Sequence, residues 1–303
     1  MLRLRANILA CCMLLVFSLD AQTKHAFYVS VAGNAGMLME GTLTSALAGG
    51  GGSAGLGYEF SKGHFLMNIG IDGEMQRLRN SVGDFKRDYS AVDTEGDAFS
   101  WHHSFHERTD EADVVNIGIP LLAGGKYEYV YFMAGPKIVF NVWGRSRCSS
   151  VVDATATYEG LIGEFEEMEN HALYTGRNIT EPWSNNRFKI NLRVAGEVGL
   201  VLNGLVANEK NNDKMSKAGM ELRLGVFAEA GVLNLRNQDG SAGLVEYKNV
   251  DTWPGVDFTQ TYVFRTAEAK ETYLTDVEVG VKLRMLFGMK EKKKCVICAD
   301  NYL

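Results

Sequence analysis

The sequence predicts an all-β fold, an eight-stranded antiparallel transmembrane β-barrel with long extracellular loops. Three observations predict it. Apolar residues recur at every second position in about eight segments of roughly ten residues, a strand length that crosses a bilayer at the tilt of a barrel. The positions between them carry glycines and charges of both signs. The connections alternate between short and long, as in barrels with brief periplasmic turns and long external loops.

The N-terminal residues 1–21 are typical of a secretory signal peptide. Two arginines precede an apolar run over 8–17, which is shorter than a membrane span. A lipobox ending at Cys11 is the alternative, but the apolar run continues past that cysteine. Cleavage leaves 22–288 as the barrel and 289–303 as a periplasmic tail. No later run is long enough for a transmembrane helix, so an exported chain is either soluble or crosses as strands.

The sequence pattern near the start of the mature chain predicts three strands, two of which form a hairpin. Residues 25–37 alternate apolar and polar side chains, and residues 54–60 repeat the alternation. A tight turn at 61–63 leads into a matching segment at 64–75. The last two segments and their turn form the predicted hairpin.

The remaining strands continue the same pattern. Residues 115–121 and 132–142 predict a second hairpin, and residues 190–200 and 220–232 predict two further strands. The last strand, 275–288, reads TDVEVGVKLRMLFG and alternates without interruption. Each segment therefore has one apolar and one polar face.

The polar faces bear on the choice between two folds. In a soluble β-sandwich the charges would meet water, whereas in a membrane barrel they fill the interior. Both signs occur, spaced by glycines, which favours a narrow lumen where opposite charges pair. The expected lumen network consists of Glu59, Asp72, Glu74, Lys137, Arg193, Glu197, Glu221, Arg223, Glu229, Glu278, Lys282 and Arg284. We expect the charges of the last strand to meet those of the neighbouring seventh strand, and the filled lumen to lack an open channel.

Four long polar connections are expected on one end of the barrel. They cover 40–52, 76–112, 145–186 and 236–271. A soluble sandwich has no reason to place its long loops together, so this asymmetry also favours the membrane barrel.

Composition and cysteine usage exclude several classes of protein. The net charge is -6, and the body of the chain has no basic patch that would bind nucleic acid. The mature chain keeps Cys148, Cys295 and Cys298, an odd number that predicts no disulfide scaffold.

Two short motifs carry ligand-type residues. In WHHSFHERTDE, a helix would place His102 and His106 on one face, and these two with His103 are a candidate transition-metal site; a polar exposed loop is the alternative. The tail KEKKKCVICA holds a CxxC, but a zinc site would need a second ligand pair and a redox site a βαβ context. Its lysines would contact anionic headgroups or simply be solvated.

The chain resembles the PorT-like "outer membrane protein beta-barrel domain" family of Gram-negative bacteria. The resemblance lies in the end of the signal peptide, in NIGIPLLAGGKYEYVYFMAGPKIVF at 116–140, and in the closing VGVKLRMLFG. It implies an outer-membrane location and a small barrel, and it implies little about activity. The chain departs from such barrels in continuing past the aromatic residue of its last strand.

These features predict a non-enzymatic, monomeric outer-membrane barrel with a structural or surface-interaction role. Its expected partners are outer-membrane lipid and an extracellular or envelope protein, with no cofactor and no nucleic acid. No motif of a serine hydrolase or a zinc protease is present in the sequence. The alternatives are a lipid-modifying barrel enzyme that uses a loop histidine, and a small passive pore.

Overall fold

The computed structural model describes residues 23–39, 44–92, 97–158, 163, 165, 172–202, 220–235, 242–249, 256–266 and 273–288. The predicted signal peptide and the cysteine-containing tail lie outside these ranges. Within the described residues, no helix is long and apolar enough to cross a membrane.

Eight antiparallel strands close into a ring, which confirms the predicted barrel. In order around the ring they are β1 (Thr23–Met39), β3 (Gly49–Lys62), β4 (Phe65–Val82), β6 (Ala98–Tyr127), β7 (Val130–Tyr158), β10 (Asn191–Val201), β11 (Met220–Gly231) and β14 (Thr275–Gly288). The strands outside the ring are β2 (Thr44–Leu47), β5 (Phe85–Val92), β8 (Tyr174–Thr180), β9 (Ser184–Asn185), β12 (Val245–Asn249) and β13 (Val256–Gln260). Pairing of β14 with β1 closes the ring, so its backbone groups are satisfied without a free edge.

The two ends of the barrel differ. Tight turns join β3 to β4 and β6 to β7 at the end where β1 begins and β14 finishes, which we call the turn end. Gly63 has a φ of 59° in the first turn, a conformation that glycine adopts without steric cost. The opposite end, where the long connections lie, is the extended end.

The ring strands direct apolar side chains outward and polar ones inward. In β14, Val279 and Val281 are each 50% exposed, whereas Glu278 and Arg284 are each 2% exposed. The same alternation in the other strands produces a continuous outward belt, the apolar band, which includes Val29, Leu56, Ile71, Ile117, Phe132, Ile138, Val194, Val226 and Val281. A belt of this kind around a closed barrel is the surface that a lipid bilayer covers.

Three ring strands continue beyond the apolar band and form a second region, the extension. It contains the parts of β4, β6 and β7 that lie beyond the band on the side of the extended end, with β2, β5, β8 and β9 paired to them. The expected loops over 76–112 and 145–186 are therefore largely strands, and this part of the loop prediction is wrong. The alternation of these strands cannot be recognised in the sequence, because the outward side chains are polar and many of the inward ones are small or charged.

A chain segment we call the arm, residues 242–249 and 256–266, packs against the inward side of the extension. Leu244, Val263 and Phe264 are buried in one cluster with Leu78 and Val114 of the wall. Its β12–β13 hairpin and a short 3-10 helix belong to the fourth expected loop.

The arm is held by a buried ion pair on β6. Arg108 and Asp110 are both fully buried, and the guanidinium Nε donates to Asp110 Oδ1 at 2.9 Å. Arg108 also donates to the Thr261 carbonyl at 2.5 Å, and Asp110 accepts from the Val263 N–H at 2.6 Å. Burial lowers the pKa of Arg108, but the Asp110 carboxylate outweighs it and raises the pKa above its ordinary value. Burial in turn raises the pKa of Asp110. The pair and its two hydrogen bonds to the arm backbone fix the arm to the wall.

Candidate functional site

The lumen holds two groups of charged side chains, and the first surrounds Arg193 and Lys137. This mid-barrel cluster contains Asp72, Glu74, Lys137, Arg193, Glu229, Asp276 and Glu278, all buried. Arg193 Nη1 lies 3.1 Å from carboxylate oxygens of Glu74 and of Glu229, and Nη2 lies 2.5 Å from Asp276 and 2.8 Å from Glu278.

Lys137 interlocks with the same carboxylates. Its Nζ lies 2.9 Å from Glu229 Oε1 and 3.5 Å from Asp72 Oδ2, and it also pairs with Glu74. Glu74 and Glu229 are each shared by Lys137 and Arg193, so strands on opposite sides of the ring are joined through the lumen.

The second group lies nearer the turn end. This turn-end cluster contains Glu59, Glu197, Glu221, Arg223, Lys282 and Arg284. Arg223 binds Glu59 in a bidentate pair with both distances at 2.8 Å, and its Nε lies 2.6 Å from Glu221. Arg284 Nη2 lies 2.8 Å from Glu197 Oε2, and Lys282 Nζ lies 3.4 Å from the same oxygen.

Together the two clusters include all twelve residues of the expected lumen network. Eleven of these are buried, and Glu221 retains 26% of its side-chain exposure. The clusters add Asp276, which the sequence analysis missed although it has the same parity as Glu278 along the last strand.

The expected pairing between the last strand and the seventh strand is wrong. The two strands are neighbours, but their register places Arg223 opposite Arg284 and Glu229 opposite Glu278. Like charges directly opposite each other repel. Arg284 therefore pairs with Glu197 on β10, and Glu278 pairs with Arg193 on the same strand.

Two tyrosines fill the turn-end part of the lumen beside these charges. The guanidinium carbon of Arg284 lies 4.7 Å from the centroid of the Tyr28 ring, and that of Arg223 lies 5.1 Å from the Tyr131 ring. The Tyr131 hydroxyl donates to Glu197 at 2.7 Å. A Cβ on Gly57 would lie 2.5 Å from Tyr28 Cζ, so the glycine provides the space for the ring.

The candidate histidine metal site is not assembled as expected. Residues 102–106 belong to β6 and not to a helix, so His102 and His106 are not adjacent on one face by helical spacing. His103 points to the opposite side of the sheet and is fully buried. Among the described residues, no three His, Cys, Asp or Glu side chains are grouped to hold a metal ion.

Each outward histidine instead contacts at least one acidic residue of a neighbouring strand or turn. His106 lies between Asp84, at 3.2 Å from Nδ1, and Asp153, at 3.1 Å from Nε2. His102 Nδ1 lies 2.7 Å from Asp88 Oδ1, and its Nε2 lies 2.5 Å from Thr157 Oγ1. Asp88, His102 and Thr157 thus form a chain of acid, imidazole and hydroxyl.

A cleft of about 540 Å³ lies in the extension between the arm and the segment that contains β9. Its lining includes three arginines, Arg147, Arg187 and Arg265, with two acids, Glu181 and Glu246. Glu181 accepts the backbone N–H of Gln260 at 2.8 Å, which ties the two walls together.

Cys148 also lines this cleft and carries a free, buried thiol. Burial raises its pKa well above the ordinary value, and the nearby Asp110 carboxylate adds to the effect. A thiol held in its protonated form is a poor nucleophile.

No family model matches the chain, and no curated protein matches it. The PorT-like resemblance therefore stays a prediction. Among solved structures, Neisserial surface protein A is 9% identical and covers 85% of this chain and 95% of its own, with a TM-score of 0.28.

Two further solved structures give similar values. The attachment invasion locus protein Ail of Yersinia pestis is 7% identical over 86% of this chain and 99% of its own, with a TM-score of 0.22. The outer membrane protease OmpT from Escherichia coli is 9% identical over 90% and 98%, with a TM-score of 0.26.

Proposed function

We propose that the protein is a monomeric, non-enzymatic outer-membrane barrel that presents the extension at the cell surface to an extracellular or envelope protein partner. One observation carries this proposal. Three paired residues, Met75, Val115 and Trp143, end the apolar band on β4, β6 and β7, and the three strands continue past them as a sheet. On β6 the part beyond the band is roughly 55 Å long at about 3.3 Å per residue.

The internal construction of the extension supports a role in binding. Its arm is fixed by the buried Arg108–Asp110 pair and by an apolar cluster, which support the sheet of the extension from its inward side. Preorganised surfaces lose little conformational entropy when a partner binds. The 540 Å³ cleft, with its three arginines, is a concave surface into which a partner could insert an acidic side chain.

The filled lumen favours this role over a passive pore. Arg193 and Lys137 connect carboxylates from β4, β11 and β14 across the ring, and the tyrosine rings occupy the space nearer the turn end. We expect purified protein in planar bilayers to show no steady conductance. Stable single-channel openings in the unmodified protein would favour the pore.

Cysteine labelling on intact cells tests the placement of the extension. In a background with Cys295 and Cys298 replaced by serine, Ser90→Cys on β5 is compared with Gly63→Cys in the turn at the other end. A membrane-impermeant maleimide should label Ser90→Cys on intact cells and Gly63→Cys only after lysis. The reverse pattern would place the extension in the periplasm and contradict the proposal.

A second candidate function rests on the chain formed by Asp88, His102 and Thr157. Acid, imidazole and hydroxyl in this order can activate the hydroxyl as a nucleophile for acyl transfer. Phospholipid vesicles and a short-chain chromogenic ester are suitable substrates for the test. Turnover that is lost in Thr157→Val and kept in Thr155→Val would establish the enzyme; no turnover by the unmodified protein would exclude it for these substrates.

A further inference from the structure

The outer face of the sheet changes from apolar to charged at one level on three adjacent strands. The paired residues Met75, Val115 and Trp143 form the last apolar row. The next outward row consists of Arg77, Asp113 and Arg145, and the one above it of Arg79, Glu111 and Arg147. We call these two rows the arginine ladder. Each row lies about 7 Å above the one before it, since outward residues are two positions apart.

The lower row is tightly connected through Asp113. Arg77 Nε donates to Asp113 Oδ1 at 2.7 Å, and Arg145 donates to Oδ2 from Nε at 3.0 Å and from Nη2 at 2.9 Å. Burial raises the pKa of Asp113, but the two arginines outweigh it and hold the pKa below its ordinary value. The carboxylate is therefore ionised and fixes the two guanidinium planes.

The upper row repeats this arrangement around Glu111. Arg147 donates to Glu111 Oε2 from Nη2 at 2.8 Å, and Arg79 Nε lies 3.3 Å from Glu111 Oε1. Trp183 supports the β7 side, with the guanidinium carbons of Arg145 and Arg147 4.3 and 4.6 Å from its ring centroid. The arginines are held at defined positions without being enclosed.

The ladder has more positive than negative charge. Four guanidinium groups share two carboxylates, which leaves a formal excess of two positive charges. The surface that carries this excess is three strands wide and two outward residues long on each strand. The arginine side chains are 36 to 49% exposed, whereas the two carboxylates are 12 and 15% exposed. An approaching ligand therefore meets guanidinium N–H groups and not carboxylate oxygens.

We propose that the arginine ladder binds the phosphate groups of a phosphorylated glycolipid of the outer leaflet. This inference rests on the proposed outer-membrane placement, in which the top of the apolar band lies at the level of the outer headgroups. Guanidinium groups match phosphate oxygens in bidentate geometry, which a lysine cannot do. The acyl chains would lie on the apolar band directly below, along Met75, Val115 and Ile117.

A membrane lipid fits this surface better than a free anion does. The ladder is an outward-facing sheet surface and lies directly above apolar side chains, so a small phosphate would be bound from one side only. A glycolipid gains from burial of its chains along the band as well as from its charge. The charged ladder lies above the apolar band along the strands, just as the headgroup of a lipid lies above its acyl chains in the outer leaflet.

Lipid binding in nanodiscs tests the proposal. The full-length protein is placed in phosphatidylethanolamine nanodiscs that contain a small fraction of diphosphoryl lipid A, and bound lipid copies are counted by native mass spectrometry. Arg77→Gln/Arg145→Gln should weaken lipid A retention at least tenfold. Arg177 is an exposed arginine on β8 whose guanidinium carbon lies 5.0 Å from the Tyr174 ring centroid, and Arg177→Gln is the matched control, which should retain the lipid as the unmodified protein does.

Several outcomes would overturn the proposal. These are equal retention in the double variant and the unmodified protein, equal loss in the Arg177→Gln control, and displacement of the lipid by millimolar pyrophosphate, which would indicate a site for free anions. If the double variant does not fold, as judged by heat-modifiable mobility, the single variant Arg147→Gln is measured by the same criterion. Because nanodisc binding does not depend on orientation in the cell, its failure is distinguishable from failure of the cysteine-labelling test.

Discussion

Strand β6 passes through two environments, and the comparison shows what decides which face of a strand is apolar. Within the apolar band, Ile117 and Leu121 face outward with 41 and 42% exposure while Asn116 is buried on the inward side. In the extension, Trp101 and Phe105 are buried on the inward side and polar side chains face outward. The alternation with period two is shared, and the medium outside the wall determines its phase. Lipid selects apolar outward residues, and water selects polar ones.

The two regions are also stabilised differently from inside. The lumen in the band is held by shared ion pairs around Arg193 and Arg223, whereas the extension has an apolar core completed by the arm. A β-bulge on β6 at Glu107, which has a φ of 47°, divides the wall of the extension into a part next to the apolar band and a part farther from it. It shifts the parity of inward residues from odd numbers above it to even numbers below it, so the inward face stays inward.

The largest expected effect comes from breaking the ion-pair interior. Arg193→Met removes the cation that contacts four buried carboxylates, and it should lower the free energy of unfolding by about 3–5 kcal/mol because the remaining charges are left unpaired. Urea titration of the refolded protein in detergent measures this. Arg193→Met/Glu278→Gln should recover part of the loss, and a single variant as stable as the unmodified protein would show that the cluster is solvated.

The next largest effect distinguishes the two outer surfaces through the same change, valine to arginine, made once in each. Val279→Arg in the apolar band should cost about 2–4 kcal/mol because the charge meets lipid. Val92→Arg in the extension should change stability by about 0.5 kcal/mol or less, since that side chain meets water. The two valines are similarly exposed, at 50 and 60%. Unfolding from lipid vesicles measures both, and equal costs would mean that the faces are assigned backwards.

Near pH 5.5 a smaller effect, of at most about 1.4 kcal/mol, is expected in the extension, and it grows on further acidification. Burial and the neighbouring His102 hold the pKa of His103 at about 3, below its ordinary value of 6.5. Between these two values the unfolded region binds more protons, so stability is complete above pH 6.5 and falls by up to about 1.4 kcal/mol for each pH unit below it.

Fluorescence of Trp101, whose ring centroid lies 4.1 Å from that of His103, can report this opening. The signal should change on acidification from pH 7 to pH 4, while the barrel keeps its heat-modifiable mobility. His103→Leu should weaken the dependence. An unchanged pH profile in that variant would assign the effect to other groups.

The smallest effect on stability is expected on the outer surface of the extension. Arg145 has 39% side-chain exposure, so its pair with Asp113 is screened by water and salt, and Arg145→Gln should cost about 1 kcal/mol or less. Urea titration beside Arg193→Met gives the contrast. A loss as large as that of the lumen variant would mean that the arginine ladder is a structural element of the wall and not a binding surface.

Much of the barrel could be predicted from the sequence because its alternation is uniform. In the last strand, Val279, Val281 and Leu283 alternate with glycine and charges over the whole length, and the lipid-facing side chains are all apolar. The position of each lumen charge follows from this parity, which is why the network residues could be named before their contacts were known.

The ion-pair partners in the lumen and the strands of the extension could not be predicted from the sequence. Pairing of Arg284 with Glu197 instead of a residue on β11 depends on register, and a shift by two residues leaves the alternation of faces unchanged. In the extension, the outward face of β6 is polar, as at Ser104 and His106. The inward face is not uniformly apolar, because Arg108 and Asp110 are buried on the same side as Phe105. Such a strand has the composition of a loop.

The central claim is that the apolar face of the ring meets lipid and the charged face closes the lumen. Quenching by brominated phospholipids tests it most directly, with a single tryptophan introduced as Phe132→Trp on the outward face or as Phe227→Trp on the inward face. The background carries phenylalanine in place of Trp101, Trp143, Trp183 and Trp253. Bilayer-embedded protein should show strong quenching at position 132, which is 60% exposed, and little at position 227, which is 7% exposed. Equal quenching at the two positions, or stronger quenching at position 227, would contradict the account.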